Sequence, residues 1–251
     1  MPDTNLEKKP SLETQIKDLI RVEGADFIDF GCSAGGSLDY ATRILDGKKG
    51  IGIDLQQVNV EKTRAAGYLA LQGDLTKIRP LSRRVRFVIM SHFLEHIPSI
   101  TDVKRCIRSA INSSEEFIYI QQPFFDADPQ FMQLGLKLYW SDWHGHPNRM
   151  TSLEFHNILN PFLEQGLIDR FAIYGRRQIK ASKDVALLSL NEAENQSRWD
   201  KKKHHRKPKI REFNFKAFYD LIVIINLNGF DAINTYKSRV KPDQLIYDSH
   251  D

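Results

Sequence analysis

The sequence contains few cysteines and lacks a long apolar run. Two cysteines, Cys32 and Cys106, are too few for a disulfide framework and favour a reducing compartment. No stretch approaches the ~20 apolar residues of a transmembrane helix. The polar, charged residues 1–13 lack the apolar core of a secretory signal. We therefore expect a cytoplasmic protein without a membrane span.

The composition is that of a globular protein. With 41% hydrophobic and 27% charged residues, the chain does not resemble disordered, collagen-like or coiled-coil sequences. Its 251 residues suffice for one large or two small domains, and they contain no internal repeat. We predict a single domain over residues 1–251, with insertions at about 122–150 and 177–213.

Positive charge is concentrated in one segment. Residues 198–211 hold eight Lys or Arg against one acid, although the whole chain has a net charge of only +4. The rest of the chain is therefore mildly acidic. Such a basic run can contact phosphates, nucleic acid or a membrane surface. We interpret it first as a solvated, mobile loop, because like charges repel, and keep nucleic-acid binding as the alternative.

Strand-like and helix-like segments alternate along the chain. Short apolar strands are predicted at residues 26–30, 49–54, 68–72, 85–90 and 117–121. Strands separated by single helices imply right-handed crossovers and a parallel sheet, hence an α/β fold. Strands near residues 170–176 and 219–227 are predicted to complete the sheet.

Several residues mark the ends of helices. Ser11 can cap a first helix, and Thr151-x-x-Glu154 has the spacing of a capping box. Gly47 and Gly67 are placed to end two further helices in the left-handed conformation that favours glycine.

The segment of residues 122–150 has no convincing period and is rich in aromatic residues, which argues against disorder. It is interpreted as a long functional loop, in which the aromatic side chains form either a lid that stacks on sugar or base rings or a small satellite core. The aromatic residues concerned are Phe124, Phe125, Tyr139, Trp140 and Trp143.

The strongest motif is FIDFGCSAGGS at residues 27–37. A strand that enters a glycine turn directs backbone N–H groups and a helix N-terminus toward the crevice at the carboxyl edge of the sheet. Gly31 and Gly35 leave room for a ligand to approach the backbone. Asp54 in IGIDL can accept hydrogen bonds from ribose hydroxyls, and Asp74 in LQGDL can accept one from an adenine amino group.

The same motif argues against a dinucleotide. Its glycines are spaced Gly31-x-x-x-Gly35-Gly36, which does not meet the G-x-G-x-x-G fingerprint. Asp29, two residues before the first glycine, would repel a pyrophosphate but suits a cationic amino-acid head group. These features favour S-adenosyl-L-methionine over NAD.

Residues 26–123 resemble class I S-adenosylmethionine-dependent methyltransferases of types 11 and 23. The resemblance implies a Rossmann-like three-layer sandwich with a seven-stranded, mostly parallel sheet whose last strand is antiparallel. Ser33 departs from the family, which has a glycine there. The cofactor-binding residues implied are Asp29, Gly31, Ser33 and Gly35 at the methionine end, Asp54 and Leu55 at the ribose, Asp74 and Leu75 at the adenine, and Ser91, His92 and Phe93 closing the site.

Two later motifs bear on the acceptor. SHFLEHIP (residues 91–98) and HGHPNRMT (residues 144–151) resemble segments of methyltransferases that act on small molecules and on surface polysaccharides. The resemblance implies methyl transfer to a hydroxyl, less readily an amine, of a carbohydrate, sugar phosphate or similar small polar acceptor. The alternatives are an RNA methyltransferase that uses residues 198–211 and a non-catalytic cofactor-binding protein. Against RNA, Ser91-His92 stands where RNA 2′-O-methyltransferases carry aspartate–proline.

Histidines are the candidate catalytic residues. A hydroxyl acceptor needs a base, and His96, His146 and His92 are the candidates, since imidazole titrates near neutral pH. His92-x-x-Glu95-His96 could also hold a divalent metal if His144 or His146 completed the site. In the favoured interpretation there is no metal, and Glu95 only orients a histidine.

Overall fold

A computed structural model describes residues 10–79, 81 and 84–250, so residues 1–9 of the polar N-terminal segment lie outside the described residues. The helices within these ranges are α1 (Leu12–Glu23), α2 (Gly36–Ile44), α3 (Gln57–Ala65), α4 (Ile100–Ser113), α5 (Asp128–Gln133), α6 (Ser152–Glu164) and α7 (Ala232–Val240). The strands are β1 (Phe27–Phe30), β2 (Gly50–Asp54), β3 (Leu69–Gln72), β4 (Val85–Ser91), β5 (Ser114–Pro123), β6 (Leu136–Leu138), β7 (Arg170–Gln178), β8 (Leu187–Ser189), β9 (Phe218–Asn226) and β10 (Gln244–Asp248).

The main sheet has the strand order β10-β7-β9-β5-β4-β1-β2-β3. Strands β1 to β5 are parallel, and β9 lies antiparallel between β5 and β7. The predicted Rossmann-like α/β fold with a mostly parallel sheet is confirmed, but the described residues form eight strands in this sheet rather than seven. The additional strand, β10, pairs with β7 at the edge. Its five residues are mostly half-exposed and give little apolar signal.

Helices cover both faces of the sheet. Side chains of β1 alternate between them: Phe27 packs in the cluster that contains Leu38 of α2, and Ile28 packs in the cluster that contains Ile16 of α1. Phe27 also stacks on Phe87 of β4, with ring centroids 4.9 Å apart. This two-sided burial explains why the central strands are apolar throughout rather than alternating.

The predicted helix caps are present. The Ser11 hydroxyl accepts a hydrogen bond from the Thr14 backbone N–H at 3.3 Å. Thr151 and Glu154 form both halves of the capping box at the start of α6. Caps of this kind stabilise a helix by about 1 kcal/mol each.

One of the two predicted helix-ending glycines acts differently. Gly67 follows α3 with φ +90°, as expected, but after α2 the left-handed residue is Asp46, with φ 56°, and Gly47 has no positive φ. Gly47 is instead required by packing, because a Cβ there would lie 2.5 Å from Cε1 of Phe27. The prediction that Gly47 adopts the left-handed conformation was therefore wrong, although a glycine is needed at this position for packing.

The two predicted insertions contact each other. Residues 122–150 contain α5 and β6, and β6 pairs antiparallel with β8 of the second insertion, with Leu136 opposite Ser189. Interpreting residues 122–150 as a loop throughout was wrong. A three-residue strand whose partner lies about fifty residues away leaves no periodic signal in the sequence.

Within the described ranges, no helix has both the length and the apolar character needed to cross a bilayer. Cys32 and Cys106 are both buried and free.

Candidate active site

A cleft of about 1310 Å³ opens at the carboxyl ends of β1 to β4. β1 lies between β2 and β4, and the helices that follow β1 and β4 pack on opposite faces of the sheet. Ligands of open α/β sheets bind at this kind of switch point. Most of the residues predicted to bind the cofactor line the cleft: Gly31, Ser33, Asp54, Leu55, Asp74, Leu75, Ser91, His92 and Phe93.

The glycine turn after β1 is tightly constrained. The N–H groups of Gly31 and Cys32 both donate to the carbonyl of Ile53, at 2.8 and 3.1 Å. Gly31 has φ +83°, and a Cβ there would lie 2.5 Å from the Phe93 ring. Only glycine combines this positive φ with so close an approach of the Phe93 ring without strain. The contact between Gly31 and Phe93 therefore fixes the junction between the loops after β1 and β4.

Ser33 replaces a glycine without breaking the turn. It adopts the left-handed conformation itself, with φ 47°. Its N–H donates to Oδ2 of Asp54 at 3.0 Å, and its carbonyl accepts from the Thr63 hydroxyl at 2.8 Å. A non-glycine residue pays roughly 1–2 kcal/mol for this conformation, an amount that two hydrogen bonds can offset.

Asp54, at the end of β2, is held rigidly. Besides the Ser33 N–H, its carboxylate accepts from the Gln56 N–H at 2.9 Å and from the Asn59 amide at 3.1 Å. A carboxylate has about four acceptor positions, so roughly one is left for a hydroxyl in the cleft. The neighbouring Leu55 side chain is 64% exposed and gives the cleft an apolar surface.

Asp74 caps the short 3₁₀ turn Leu75–Lys77. Its carboxylate accepts from the Thr76 N–H at 3.1 Å and the Thr76 hydroxyl at 2.6 Å, and it pairs with Lys77 Nζ at 2.8 Å. The hydrogen bond from Lys77 and those from Thr76 lower the pKa of Asp74. Asp74 is therefore an ionised acceptor at the rim of the cleft, beside the buried Leu75.

Two predicted cofactor residues, Asp29 and Gly35, do not line the cleft. Asp29 is completely buried and accepts a hydrogen bond from the hydroxyl of Ser37, a residue that lines the cleft. Its other oxygen, Oδ1, has no hydrogen-bond partner among the described residues. Burial raises the pKa of Asp29 to about 7; the Ser37 hydrogen bond opposes this shift and the charge of Asp54 adds to it. Gly35 caps α2 with φ +90°.

His92 follows β4 in a left-handed conformation, with φ 51°. Its Nδ1 lies 3.3 Å from Oε1 of Glu95, and its Nε2 lies 3.2 Å from the Gln121 amide nitrogen. Oδ1 of Asp220 is 3.8 Å from Nε2. Burial alone would lower the pKa of His92, but Glu95 and Asp220 outweigh it and raise the pKa. Strained non-glycine backbone of this kind is concentrated at functional sites.

Glu95, His96 and His146 form a cluster. The sequence hypothesis combined Glu95 and His96 with His92 and with either His144 or His146, and His92 is not part of the cluster. One ligand atom from each member of the cluster lies within 4.8 Å of the others. Nδ1 of His96 is 2.6 Å from the Gly145 carbonyl, and Nδ1 of His146 is 3.1 Å from the Trp140 carbonyl. Because a carbonyl only accepts, each Nδ1 carries a hydrogen, and in the neutral imidazole the lone pair is therefore on Nε2. Burial lowers the pKa of His146.

His146, rather than His144, joins this cluster. The His144 ring lies 3.3 Å from the Glu194 carboxylate at an exposed position. The loop that carries His146 is attached to the segment after β4 by a hydrogen bond from the Asn148 N–H to the Glu95 carbonyl, at 3.2 Å.

A second pocket of about 310 Å³ adjoins the cleft, and His92 lines both. It combines aromatic rings with two arginines and one acid. Its remaining lining residues are Pro123, Tyr139, Trp140, Trp143, His146, Arg177, Arg198, Tyr219 and Asp220.

The aromatic residues of this segment divide between the protein core and the lining of the second pocket. Phe124, Phe125 and Trp140 are at most 4% exposed and pack in the same core cluster as Ile28 of β1, not in a satellite core, and the Trp140 indole N–H donates to the Phe124 carbonyl at 3.0 Å. Trp143 is 37% exposed and, together with Tyr139, lines the second pocket.

Sequence reasoning missed the charged part of this pocket. Asp220 is 1% exposed and accepts hydrogen bonds from Arg176 and Arg177. The Arg177 guanidinium also lies over the Tyr219 ring, 4.7 Å from its centroid. The available signal was an acid, Asp220, inside the otherwise apolar run of β9, since a buried carboxylate needs partners.

The basic run of residues 198–211 is mostly exposed. Arg198 lines the second pocket. Several residues of the run are hydrogen-bonded to the rest of the fold: the Trp199 N–H donates to the Val185 carbonyl at 2.9 Å, and Lys207 Nζ donates to the carbonyls of Asp184 and Leu187 at 2.5 and 2.8 Å. Desolvation lowers the pKa of Lys207 to about 8.

Comparisons with known proteins agree with the fold. The family described as "Methyltransferase domain" matches residues 9–162. A Haloferax volcanii methyltransferase, solved in complex with its activator, is 13% identical, covers 87% of this chain and 90% of its own, and gives a TM-score of 0.51. A Methanosarcina mazei S-adenosylmethionine-dependent methyltransferase is 13% identical over 81% of this chain and 92% of its own (TM-score 0.48). Synechocystis magnesium protoporphyrin IX methyltransferase with bound S-adenosylmethionine is 11% identical over 86% and 78% (TM-score 0.44). No curated protein matches the sequence significantly.

Proposed function

Because this chain belongs to the methyltransferase domain family, whose cofactor is S-adenosylmethionine, we propose that it methylates a hydroxyl of a carbohydrate, a sugar phosphate or a similar small polar acceptor. The second pocket carries the proposal. Its aromatic faces can stack on a sugar ring, and its two arginines, against one aspartate, favour an anionic group such as phosphate. An amine is the less favoured acceptor.

The residues of the cleft fit the cofactor, which supplies an electrophilic methyl group when bound. Gly31 keeps the backbone clear, and Asp54 retains about one acceptor position for a ribose hydroxyl. Leu55 offers apolar surface beside the ribose, and Asp74 accepts from the amino group of the adenine. The buried Asp29 lies behind the turn, and because its pKa is raised to about 7 it supplies negative charge there only once it ionises. The remaining contacts in this assignment are Ser33, Gly35, Leu75, Ser91, His92 and Phe93.

Proton removal from the acceptor is assigned to the histidine cluster. His96 lines the cleft and His146 lines the second pocket, and each contacts a backbone carbonyl through Nδ1, which leaves Nε2 as the nitrogen that accepts a proton in the neutral ring. His92 lies at the junction of the two cavities and is the third candidate. A hydroxyl held there would meet a base beside the cleft, and fixed alignment of the reacting groups contributes much of the rate of a displacement.

The cofactor assignment is tested by calorimetric titration of S-adenosylhomocysteine. We expect the wild-type protein to bind it and Asp54→Ala to lose at least about tenfold in affinity, since hydrogen bonds to charged groups contribute ~1.5–3 kcal/mol. Asp18→Ala, which removes an exposed carboxylate of α1, is the control and should bind normally. Equal binding by Asp54→Ala, or no binding by the wild type, contradicts the assignment.

The acceptor is tested with labelled S-adenosylmethionine and a panel of sugars, sugar phosphates and matching amines. With an acceptor found, Trp143→Ala should raise its KM by roughly two- to tenfold and leave the S-adenosylhomocysteine affinity unchanged, because one stacking contact contributes about 0.5–1.5 kcal/mol. Full transfer at pH 7 by a His96→Ala, His146→Ala double variant would remove both histidines from the mechanism. Cofactor binding without transfer to any acceptor would favour the non-catalytic alternative.

RNA methylation is the second candidate, because Arg198 places the start of the basic run at the second pocket. It predicts RNA affinity that falls steeply with salt and collapses when Lys201, Lys202 and Lys203 are changed to Gln. RNA binding that is weak and insensitive to these changes favours the small acceptor.

A further inference from the structure

We propose that Glu95, His96 and His146 bind a divalent transition-metal cation where the cleft meets the second pocket. The binding site follows from these three residues alone. Only the task assigned to the cation, to act on the acceptor, rests on the proposed function.

The Glu95 carboxylate is the first reason. It is completely buried, and neither of its oxygens has a hydrogen-bond partner among the described residues. Buried charges in proteins are paired or coordinate metals, because an isolated one is strongly unfavourable. His92 Nδ1 approaches Oε1 at 3.3 Å, which still leaves Oε2 without a donor. A cation bound to the Glu95 carboxylate would neutralise its buried charge and supply the missing partner of Oε2.

The orientation of the two imidazoles is the second reason. His96 and His146 each direct Nδ1 at a backbone carbonyl, those of Gly145 and Trp140. Metal-bound histidines have this outer hydrogen bond, which fixes the tautomer and presents the other nitrogen to the metal. The neutral imidazoles thus present two Nε2 atoms beside a buried carboxylate whose Oε2 has no donor among the described residues.

The geometry and the donor set indicate the class of metal. The ligand atoms lie within 4.8 Å of one another, and bonds of about 2.1 Å at ordinary angles need separations of roughly 3–3.5 Å. Side-chain rotations that move the ligand atoms by about an ångström would bring them to these separations. Two imidazoles and one carboxylate suit Zn²⁺, Fe²⁺, Co²⁺ or Mn²⁺ and leave coordination positions open.

The open positions face the proposed acceptor. His96 lines the cleft and His146 lines the second pocket, so a cation between them adjoins both cavities. A divalent cation lowers the pKa of a hydroxyl bound to it. With the cation bound, the Nε2 atoms of His96 and His146 serve as its ligands, and the cation activates the acceptor oxygen. The base role proposed above then passes to His92, the third candidate, which lines both cavities.

The test uses the full chain, stripped with EDTA, dialysed and titrated with Co²⁺ alone. Calorimetry and visible absorption should report one Co²⁺ per chain. Glu95→Gln, His96→Gln and His146→Gln should each lower the affinity at least about 100-fold, the upper range for losing a supporting outer-shell hydrogen bond. The matched control is His144→Gln, a histidine of the same loop outside the cluster, which should bind Co²⁺ as the wild type does.

Glu95→Gln also separates metal binding from folding. It keeps the shape of the side chain and removes the buried charge, so the protein should fold, and Co²⁺ should raise the Tm of the wild type but not of this variant. No stoichiometric binding by the wild type, unchanged binding by Glu95→Gln, or an equal loss in His144→Gln overturns the proposal.

S-adenosylhomocysteine binding distinguishes this failure from failure of the proposed function. Neither Glu95 nor His146 lines the cleft, so their variants should bind that ligand normally. A protein that binds it but not Co²⁺ loses the metal site and keeps the proposed function. A protein that binds Co²⁺ but not S-adenosylhomocysteine keeps the metal site and contradicts the proposed function.

Discussion

Asp29 makes the stability of this protein depend on pH in a way that can be measured. The carboxyl is completely buried, and burial raises its pKa from 3.8 to about 7. The unfolded chain therefore loses this proton near pH 4, whereas the folded chain keeps it to about pH 7. Over that interval the folded state binds more protons, so stability falls as the pH rises, and above pH 7 the loss is complete.

The magnitude follows from the size of the shift. The rise in the pKa of Asp29 from 3.8 to about 7 corresponds to a loss of roughly 4 kcal/mol of unfolding free energy in total. About 2.5 kcal/mol of this loss falls between pH 5 and pH 8. Asp29→Asn keeps the shape and an acceptor for the Ser37 hydroxyl but cannot ionise. The variant should therefore gain about 2.5 kcal/mol of unfolding free energy relative to the wild type between these two pH values.

Urea unfolding of both proteins at pH 5, 6, 7 and 8 measures this difference. Asp18→Asn serves as the control, because it removes an exposed carboxylate from a surface ion pair and should change stability by less than about 0.5 kcal/mol at each pH. A difference between Asp29→Asn and wild type that stays constant across the four pH values would refute the reasoning.

Two further predictions concern the glycine turn after β1 and the N-terminal cap of α6. Gly31→Ala combines a left-handed φ with a contact 2.5 Å from the Phe93 ring, so it should destabilise by roughly 2–4 kcal/mol and weaken S-adenosylhomocysteine binding, as measured by urea unfolding and calorimetry. Gly24→Ala has a similar φ but no atom within 4 Å, so it should show only the ~1–2 kcal/mol conformational part; equal losses would exclude the steric cause. Thr151→Ala should cost about 1 kcal/mol by removing the α6 cap, whereas Thr151→Ser should restore stability; no difference between the two would contradict the role of the hydroxyl.

The fold and the cleft were predictable because their signals are local. Asp54 is the last residue of a strand, and the glycine turn and Asp74 each follow a strand within two residues. Parallel strands end at one edge of a sheet, so recognising the strands was sufficient to bring these residues together. Ser33 was the departure within this pattern, and its left-handed backbone and hydrogen bond to Asp54 show that the turn is kept.

The acceptor side was less predictable because its residues come from distant segments. Arg177 and Asp220 are 43 positions apart in the chain and meet only because β7 and β9 are neighbours in the sheet. The strand β10 and the pairing of β6 with β8 likewise depend on partners supplied by the fold.

The sequence by itself therefore determined the α/β class, the helix caps and the chemistry at the strand ends, since each depends on residues close together in the chain. Tertiary structure alone decided that His146 rather than His144 faces Glu95, although both lie in the same loop. It also decided that Asp29 is buried behind the turn rather than exposed in the cleft. Which way a side chain faces depends on how the loop packs on the sheet, and no local spacing encodes that.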